Sequence, residues 1–363
     1  MSGTTELIDD FLNAKENKKF HFNHHEELNY KIPSGSLNLD LALDGGLPAG
    51  VHRFTGINEG GKTSCAMMFA RNFQKLFPKD GMVVYIRSEG RLSPESLKRS
   101  GIDTSKEKFF VFDCNVFEKV FELVRMLVSE NKDNKKFFFI IDSVDALCRE
   151  NDYHKPFVES EQVAGGALIT SVFLKKMVLP IMKSNHVMIL TSQVRIEVSS
   201  NPYASRGGPK TKQAGGNAVK HYANYILEFE ERYTNDIIWE NPSASRIDEK
   251  GNPIGHICKI KFRKSINEKT NASVRYPIRY GMTDGKSIWV EKELLDMLRI
   301  WGLIEQKGSW INLDKDLLVA AKDKKIELPE KIQGEQKLVN LIEEDKKVQD
   351  FLLKFINNLI SSI

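Results

Sequence analysis

The sequence predicts an α/β fold, a mostly parallel twisted sheet with helices on both faces. Three observations support this. Short apolar runs of strand length alternate with segments of helical period, the pattern of β–α–β units. A glycine-rich G-x-x-x-x-G-K-[ST] sequence stands between the first well-formed run and the first long helical segment. The 363 residues, 41% hydrophobic and 28% charged, have the composition of a globular chain and not of a disordered one. At ~150 residues per domain that length suffices for about two domains.

In chain order, the segment from Glu6 to Lys19 carries Leu7, Ile8, Phe11 and Leu12 at helical spacing. It predicts a short helix whose apolar stripe needs a partner surface. Strands are expected at Val51–Phe54, Val83–Ile86, Phe109–Phe112, Phe137–Ile141 and Val187–Leu190, with helices at Ser64–Phe77 and Val116–Glu130 between them. After Leu227 the runs ILEFE, Cys258–Phe262 and Val274–Tyr280 follow closely, as antiparallel additions to the sheet edge would. From about Thr283 the chain is rich in helix formers. Leu294, Leu295, Leu298 and Ile300 share a helical spacing, which reads as a small, mostly helical structural unit. The divisions expected are residues 1–31, 32–282 and 283–363.

Several classes are disfavoured. Lys and Arg number 53 and Asp and Glu 49, so a formal charge of +4 names no partner by itself. No apolar run approaches the ~18 residues of a membrane span. The charged opening MSGTTELIDDFLNAKENKK lacks the apolar centre of a secretory leader. Cys65, Cys114, Cys148 and Cys258 lie far apart and read as buried thiols of a reducing cytosol, not a metal or disulfide framework.

The chemistry concentrates at GINEGGKT. Glycines let backbone N–H groups turn inward around phosphates, and the following helix adds its positive end. Gly56, Ile57, Asn58, Glu59, Gly60, Gly61, Lys62, Thr63 and Ser64 are therefore the candidate nucleotide-binding residues. Lys62 is placed to reach the β- and γ-phosphates and Thr63 to coordinate Mg²⁺. Three polar residues follow other apolar runs: Glu89 after VVYI, Asp142 after FFFII and Gln193 after VMIL. In a parallel sheet all C-terminal strand ends open on one edge, so these residues describe a single NTP-hydrolysing site. Asp142 suits Mg²⁺, Glu89 the attacking water, and Gln193 the γ-phosphate or that water.

Directly after Gln193, Arg195 to Gln213 contains Arg195, Arg206, Lys210 and Lys212 against one acid, Glu197. A connection longer than about 12–15 residues is usually functional or disordered. A basic, Gly/Ser-containing one suits a phosphate backbone such as DNA.

On these residues the sequence resembles the RecA family of DNA strand-exchange recombinases, bacteriophage members included. The likeness starts at IPSGSLNLDLALDGGLPAG (Ile32–Gly50). It continues through GINEGGKTS, YIRSEGRLSPESL, FFFIIDSVDAL, LTSQVRIEV and GGNAVKHYA, and returns at GLIEQKGSWI (Gly302–Ile311). The resemblance implies a P-loop ATPase core of RecA type, using ATP and Mg²⁺, with an N-terminal oligomerisation helix and a small α-rich C-terminal domain. It implies that Glu89 is the catalytic carboxylate, that Asp142 serves the metal, and that Gln193 couples the γ-phosphate to DNA. It further implies a helical homo-oligomer with ATP between subunits, where Arg263 and Lys264 of KIKFRKS complete a neighbour's site. Lys220 and His221 fall where the family has interface residues. Two DNA loops are implied, one at Arg195–Gln213 and the other around Glu150–Gly166, with Val163 and Val198 as aliphatic wedges between bases.

The departures are Ser96, where many members stack an aromatic on adenine, a longer second loop, a first loop with few basic residues, and no acidic tail. Lys322, Lys324 and Lys325 suit either duplex capture or a solvated face. The activity implied is DNA-dependent ATP hydrolysis by filaments on single-stranded DNA, with homologous pairing and strand exchange with double-stranded DNA in recombination and repair. A cytoplasmic location follows, that of the host if a bacteriophage encodes the chain. The alternatives are a ring-shaped helicase or translocase on the same core and a non-catalytic mediator of another recombinase.

Overall fold

The computed structural model describes residues 3–14, 30–90, 92–156, 165–196, 211–213, 216–241, 244, 246 and 248–361. The strands of the central sheet are β1 (Gly50–Gly56), β2 (Gly81–Arg87), β3 (Phe109–Asp113), β4 (Lys136–Asp142), β5 (Val187–Ile196), β6 (Thr211–Gln213), β7 (Tyr225–Phe229), β8 (Ile237–Trp239), β9 (Pro253–Lys264) and β10 (Ser273–Arg279). Their order is β10-β9-β7-β1-β5-β4-β2-β3, with β6 beside β5 and β8 beside β9. Six of them, β7 through β3 in that order, are mutually parallel.

The interior parallel strands are buried on both faces, which explains their apolar runs, whereas β3 at the sheet edge leaves Phe110 44% exposed. In β4, Phe138 and Ile140 join the core beneath α3 (Lys62–Leu76), while Phe137, Phe139 and Ile141 join the core beneath α5 (Phe117–Ser129) and α7 (Gly165–Lys183). The crossover from β1 to β2 lies on the first face. Those from β3 to β4 and from β4 to β5 return in the opposite direction on the second, as right-handed connections require.

The structure corrects two expectations. First, ILEFE forms β7, which pairs parallel to β1; the antiparallel additions beyond it are β9 and β10. The C-terminal segment adds a small sheet to its helices. Its helices α9 (Val290–Ile300), α10 (Lys315–Asp323), α11 (Glu335–Glu344) and α12 (Lys346–Ser361) pack with a three-stranded antiparallel sheet of β11 (Ile304–Lys307), β12 (Trp310–Leu313) and β13 (Lys331–Gln333). GLIEQKGSWI supplies a hairpin there, because Gly308 takes the left-handed φ of 61° that its turn needs.

Second, Ile300 is 74% exposed at the end of α9, whereas Leu294, Leu295 and Leu298 are buried. A third apolar cluster, from Trp289 to Ile356, fills this segment. The N-terminal helix α1 spans Gly3–Asn13, and its apolar stripe is exposed at Leu7, Ile8 and Phe11, in need of the partner surface that the sequence implied. No described helix is long and apolar enough to cross a membrane.

Candidate nucleotide site

The glycine-rich loop is shaped by the strand beside it. Gly56 ends β1 at φ 146°, and a Cβ there would lie 2.3 Å from the Phe229 carbonyl oxygen of β7. Only glycine allows that approach. Gly61, at φ 102°, is the N-cap of α3 and supplies no side-chain cap. The first amides of α3 therefore point into the loop without a capping partner, as an anion requires. The side chains of Asn58, Glu59 and Ser64 are exposed around it.

Lys62 Nζ folds back on the loop, donating to the carbonyls of Gly56 at 3.1 Å and Ile57 at 2.5 Å. Burial lowers its pKa, opposed by the charges of Asp142, Glu89 and Asp145. Two acids named from the sequence thus lie within electrostatic reach of the predicted lysine.

Asp142, at the end of β4, is gripped by three hydroxyls. Oδ2 accepts from Thr63 Oγ1 at 2.8 Å and from the Tyr85 phenol at 2.5 Å, and Oδ1 accepts from Thr191 Oγ1 at 2.7 Å. Burial and the Asp142 charge both raise the Tyr85 pKa, which keeps the phenol a donor. Glu89 accepts a bond from Ser143 Oγ, which follows Asp142. Ser88 ties the same two strand ends together, through its N–H to Asp142 O at 3.0 Å and its hydroxyl to Ser143 O at 2.7 Å.

Lys62, Thr63, Glu89 and Asp142 therefore converge. Thr63 and Asp142 present adjacent oxygens. That donor set fits Mg²⁺, which is held by one or two protein oxygens plus phosphate and water. No cluster of three or more His, Cys, Asp or Glu suited to a metal occurs among the described residues.

Gln193 is level with Gly56 in the sheet register, hence on the same edge. It is not the strand end expected. β5 runs three residues further and pairs antiparallel with β6 (Thr211–Gln213), so the basic connection is rooted in a two-stranded stem with Arg195 opposite Lys212. The Gln193 backbone N–H donates to Asp145 Oδ2 at 2.5 Å. Val163, Val198, Arg206 and Lys210 lie outside the described residues. So do the side chains of Arg195 and Lys212. Ser96 belongs to the first turn of α4 (Pro94–Ser100), where its amide is capped by Ser93 Oγ at 3.1 Å.

Arg263 and Lys264 are not brought to this loop. β9 runs antiparallel to β7, so Lys264 is level with Ile226, three residues from Phe229. At ~3.3 Å per residue that is about 10 Å back from the edge. Arg263 instead makes a bidentate pair with Glu228, both contacts at 2.6 Å. Lys264 Nζ donates to the carbonyls of Lys220 and His221 in α8 (Gly216–Tyr222). These four residues line an open cavity of about 440 Å³.

Sequence reasoning missed Tyr85, Thr191, Ser143 and Asp145. Their signal is present: Tyr85 interrupts an aliphatic strand run, Thr191 directly follows another, and Asp145 stands three residues beyond Asp142. A profile of the RecA N-terminal domain matches residues 19–270.

The chain belongs to the RecA family. It is 28% identical over 297 residues to Protein RecA of Solidesulfovibrio magneticus, covering 80% of this chain and 75% of that one. It is 28% identical to Protein RecA of Cereibacter sphaeroides over 279 residues, with 76% and 73% covered. Against Protein RecA of Nitratidesulfovibrio vulgaris it is 29% identical over 297 residues, with 80% and 74% covered. The family match includes every phosphate-loop residue, Glu89, Asp142, Gln193, Arg263 and Lys264.

Proposed function

We infer that this RecA-family chain is a DNA-dependent ATPase. It assembles as a helical filament on single-stranded DNA and catalyses homologous pairing and strand exchange with duplex DNA in the cytoplasm. One observation carries the reading: the edge that gathers Lys62, Thr63, Glu89 and Asp142 also holds Gln193, on the strand that continues into the basic stem. Gln193 and the root of the basic connection are thus consecutive parts of β5.

Lys62 leaves the Gly56 and Ile57 carbonyls to bind the β- and γ-phosphates, beside the uncapped amides of α3. Thr63 and Asp142 are the residues that would hold Mg²⁺, with Asp142 oriented by Tyr85 and Thr191. The ion, when bound, supplies charge neutralisation at the phosphate oxygens. Glu89 orients and deprotonates the attacking water, while Ser143 fixes its carboxyl. Gln193 senses the γ-phosphate and passes its presence to the Arg195–Gln213 connection. The bases and phosphates of DNA contact Arg195, Arg206, Lys210 and Lys212 there, with Val163 and Val198 as wedges.

Arg263 and Lys264 act on the ATP of a neighbouring copy, in keeping with their distance from their own loop. Residues 1–31 serve as the oligomerisation arm, 32–282 as the ATPase core and 283–363 as the small C-terminal domain. The exposed stripe of α1 and the separate apolar cluster from Trp289 onward support that division.

Glu89→Gln tests the reading. We expect DNA-stimulated hydrolysis to fall by at least about 10²-fold. Nucleotide-dependent DNA binding should persist, and open helical filaments should form on single-stranded DNA with a slowly hydrolysed ATP analogue. Unchanged turnover would remove Glu89 from its role, and closed rings would remove the filament.

A further inference from the structure

One buried acid near the phosphate loop has no part in the chemistry above. Glu228 stands in β7, one residue before Phe229, which is level with Gly56 at the nucleotide edge. Only 9% of its surface is exposed. Both of its carboxylate oxygens accept from one side chain: Oε2 from Arg263 Nε and Oε1 from Arg263 Nη2, each at 2.6 Å. The Arg263 side chain is half-buried, so the pair joins a buried anchor to a cation that reaches the surface.

The backbone of β9 explains how Arg263 comes to lie there. Ile226 is level with Lys264 and Leu227 with Phe262, so Arg263 is an extra residue in β9, a β-bulge. Successive residues of a regular strand face opposite sides of the sheet. The bulge breaks that alternation, and Arg263 and Lys264 line one cavity with Lys220 and His221. Lys264 Nζ is fixed by the carbonyls of Lys220 at 3.0 Å and His221 at 2.7 Å. Arg263 is fixed by Glu228. Those two bonds use the Nε–Nη2 edge of the guanidinium, which leaves its Nη1 group to an acceptor in the cavity.

We propose that Glu228 is a positioning residue that aims the bulged Arg263 at the triphosphate of a neighbouring copy. The inference deepens the functional reading and rests on it, since it states how the chain holds a residue destined for another copy's ATP. A guanidinium gripped along one edge by a buried carboxylate cannot swing about its long stem. Its rotamer freedom is given up on folding, not at the transition state. The pairing also balances the charge that Arg263 brings to a half-buried position. Lysine offers a single ammonium and cannot take both carboxylate oxygens in one plane.

The test compares wild type, Glu228→Gln and Arg263→Lys as full chains in steady-state ATP hydrolysis with single-stranded DNA. Each variant should lose about 10–100-fold in kcat with KM little changed, because alignment is lost and ground-state nucleotide binding is not. Each is then mixed in equal amounts with Glu89→Gln, which lacks hydrolysis of its own but carries an intact pair of Glu228 and Arg263. In a head-to-tail filament about one site in four then joins an intact Glu89 to an intact donor. The mixture should recover about a quarter of wild-type turnover, well above the mean of the two proteins alone.

Arg263→Lys leaves Glu228 in place, so it carries the test where Glu228→Gln fails to fold. Wild-type turnover in either variant would overturn the proposal. So would a mixture no more active than the mean of its parts, since a loss confined to the subunit that carries it is structural. Wild type without DNA-stimulated hydrolysis would instead sink the recombinase reading, and the proposal with it.

Discussion

Glu293 makes the joint between the core and the C-terminal segment sensitive to pH. It is completely buried in α9 and caps a helix far away in sequence, α2 (Leu37–Ala42). Its carboxylate accepts Ser36 Oγ at 2.6 Å, Leu37 N at 3.1 Å and Asn38 N at 3.2 Å. Burial outweighs these donors and raises its pKa from 4.5 to about 7, helped by the nearby Asp40, itself raised to about 6.

The folded state thus keeps a proton that the unfolded chain releases. The stabilisation is complete below pH 4.5, declines as pH rises, and is gone above about 7. At about 1.4 kcal/mol per pH unit, that displacement is worth about 3 kcal/mol. Glu293→Gln is neutral throughout and lacks this dependence. Urea unfolding of both proteins at pH 5 and pH 8.5 measures it. The wild type should lose about 3 kcal/mol relative to the variant between those values. A stability difference that does not change with pH would show a carboxylate ionised throughout, and the burial argument would fail.

Three further outcomes follow from the geometry. Tyr85→Phe removes one of the three hydroxyls on Asp142. Calorimetric titration with an ATP analogue should show magnesium-dependent affinity lower by about 10–100-fold, while affinity without magnesium is little changed. Gly56→Ala forces a methyl against the Phe229 carbonyl at 2.3 Å. It should cost at least about 2 kcal/mol in thermal unfolding and abolish nucleotide binding, so normal binding would contradict the close-approach argument. Arg279→Ala breaks a 2.8 Å contact to Glu343, which also accepts Trp289 Nε1 at 2.7 Å. A loss of about 1–2 kcal/mol is expected, read by urea unfolding at neutral pH.

The site was legible to the extent that its chemistry is local. Gly56 to Ser64 could be read because loop, lysine and hydroxyl are adjacent in the chain. Glu89, Asp142 and Gln193 could be read because parallel strands put their C-terminal ends on one edge. The grip on Asp142 could not, since Tyr85 and Thr191 reach it from neighbouring strands and look like ordinary strand residues in one dimension. Arg263 was legible as a basic residue. Its bidentate bond to Glu228 was not, because the partner is set by the pairing of β7 with β9.

The sequence alone determined the two-faced parallel sheet, through apolar runs long enough to fill both sides, and the place of the phosphate loop between β1 and α3. Tertiary structure alone decided which strands are neighbours. That choice made ILEFE a parallel strand, turned GLIEQKGSWI into a hairpin, and paired Arg263 with Glu228. The reason is range. Period and turn chemistry act over a few residues, whereas the partner of a buried charge is selected by packing across the whole sheet.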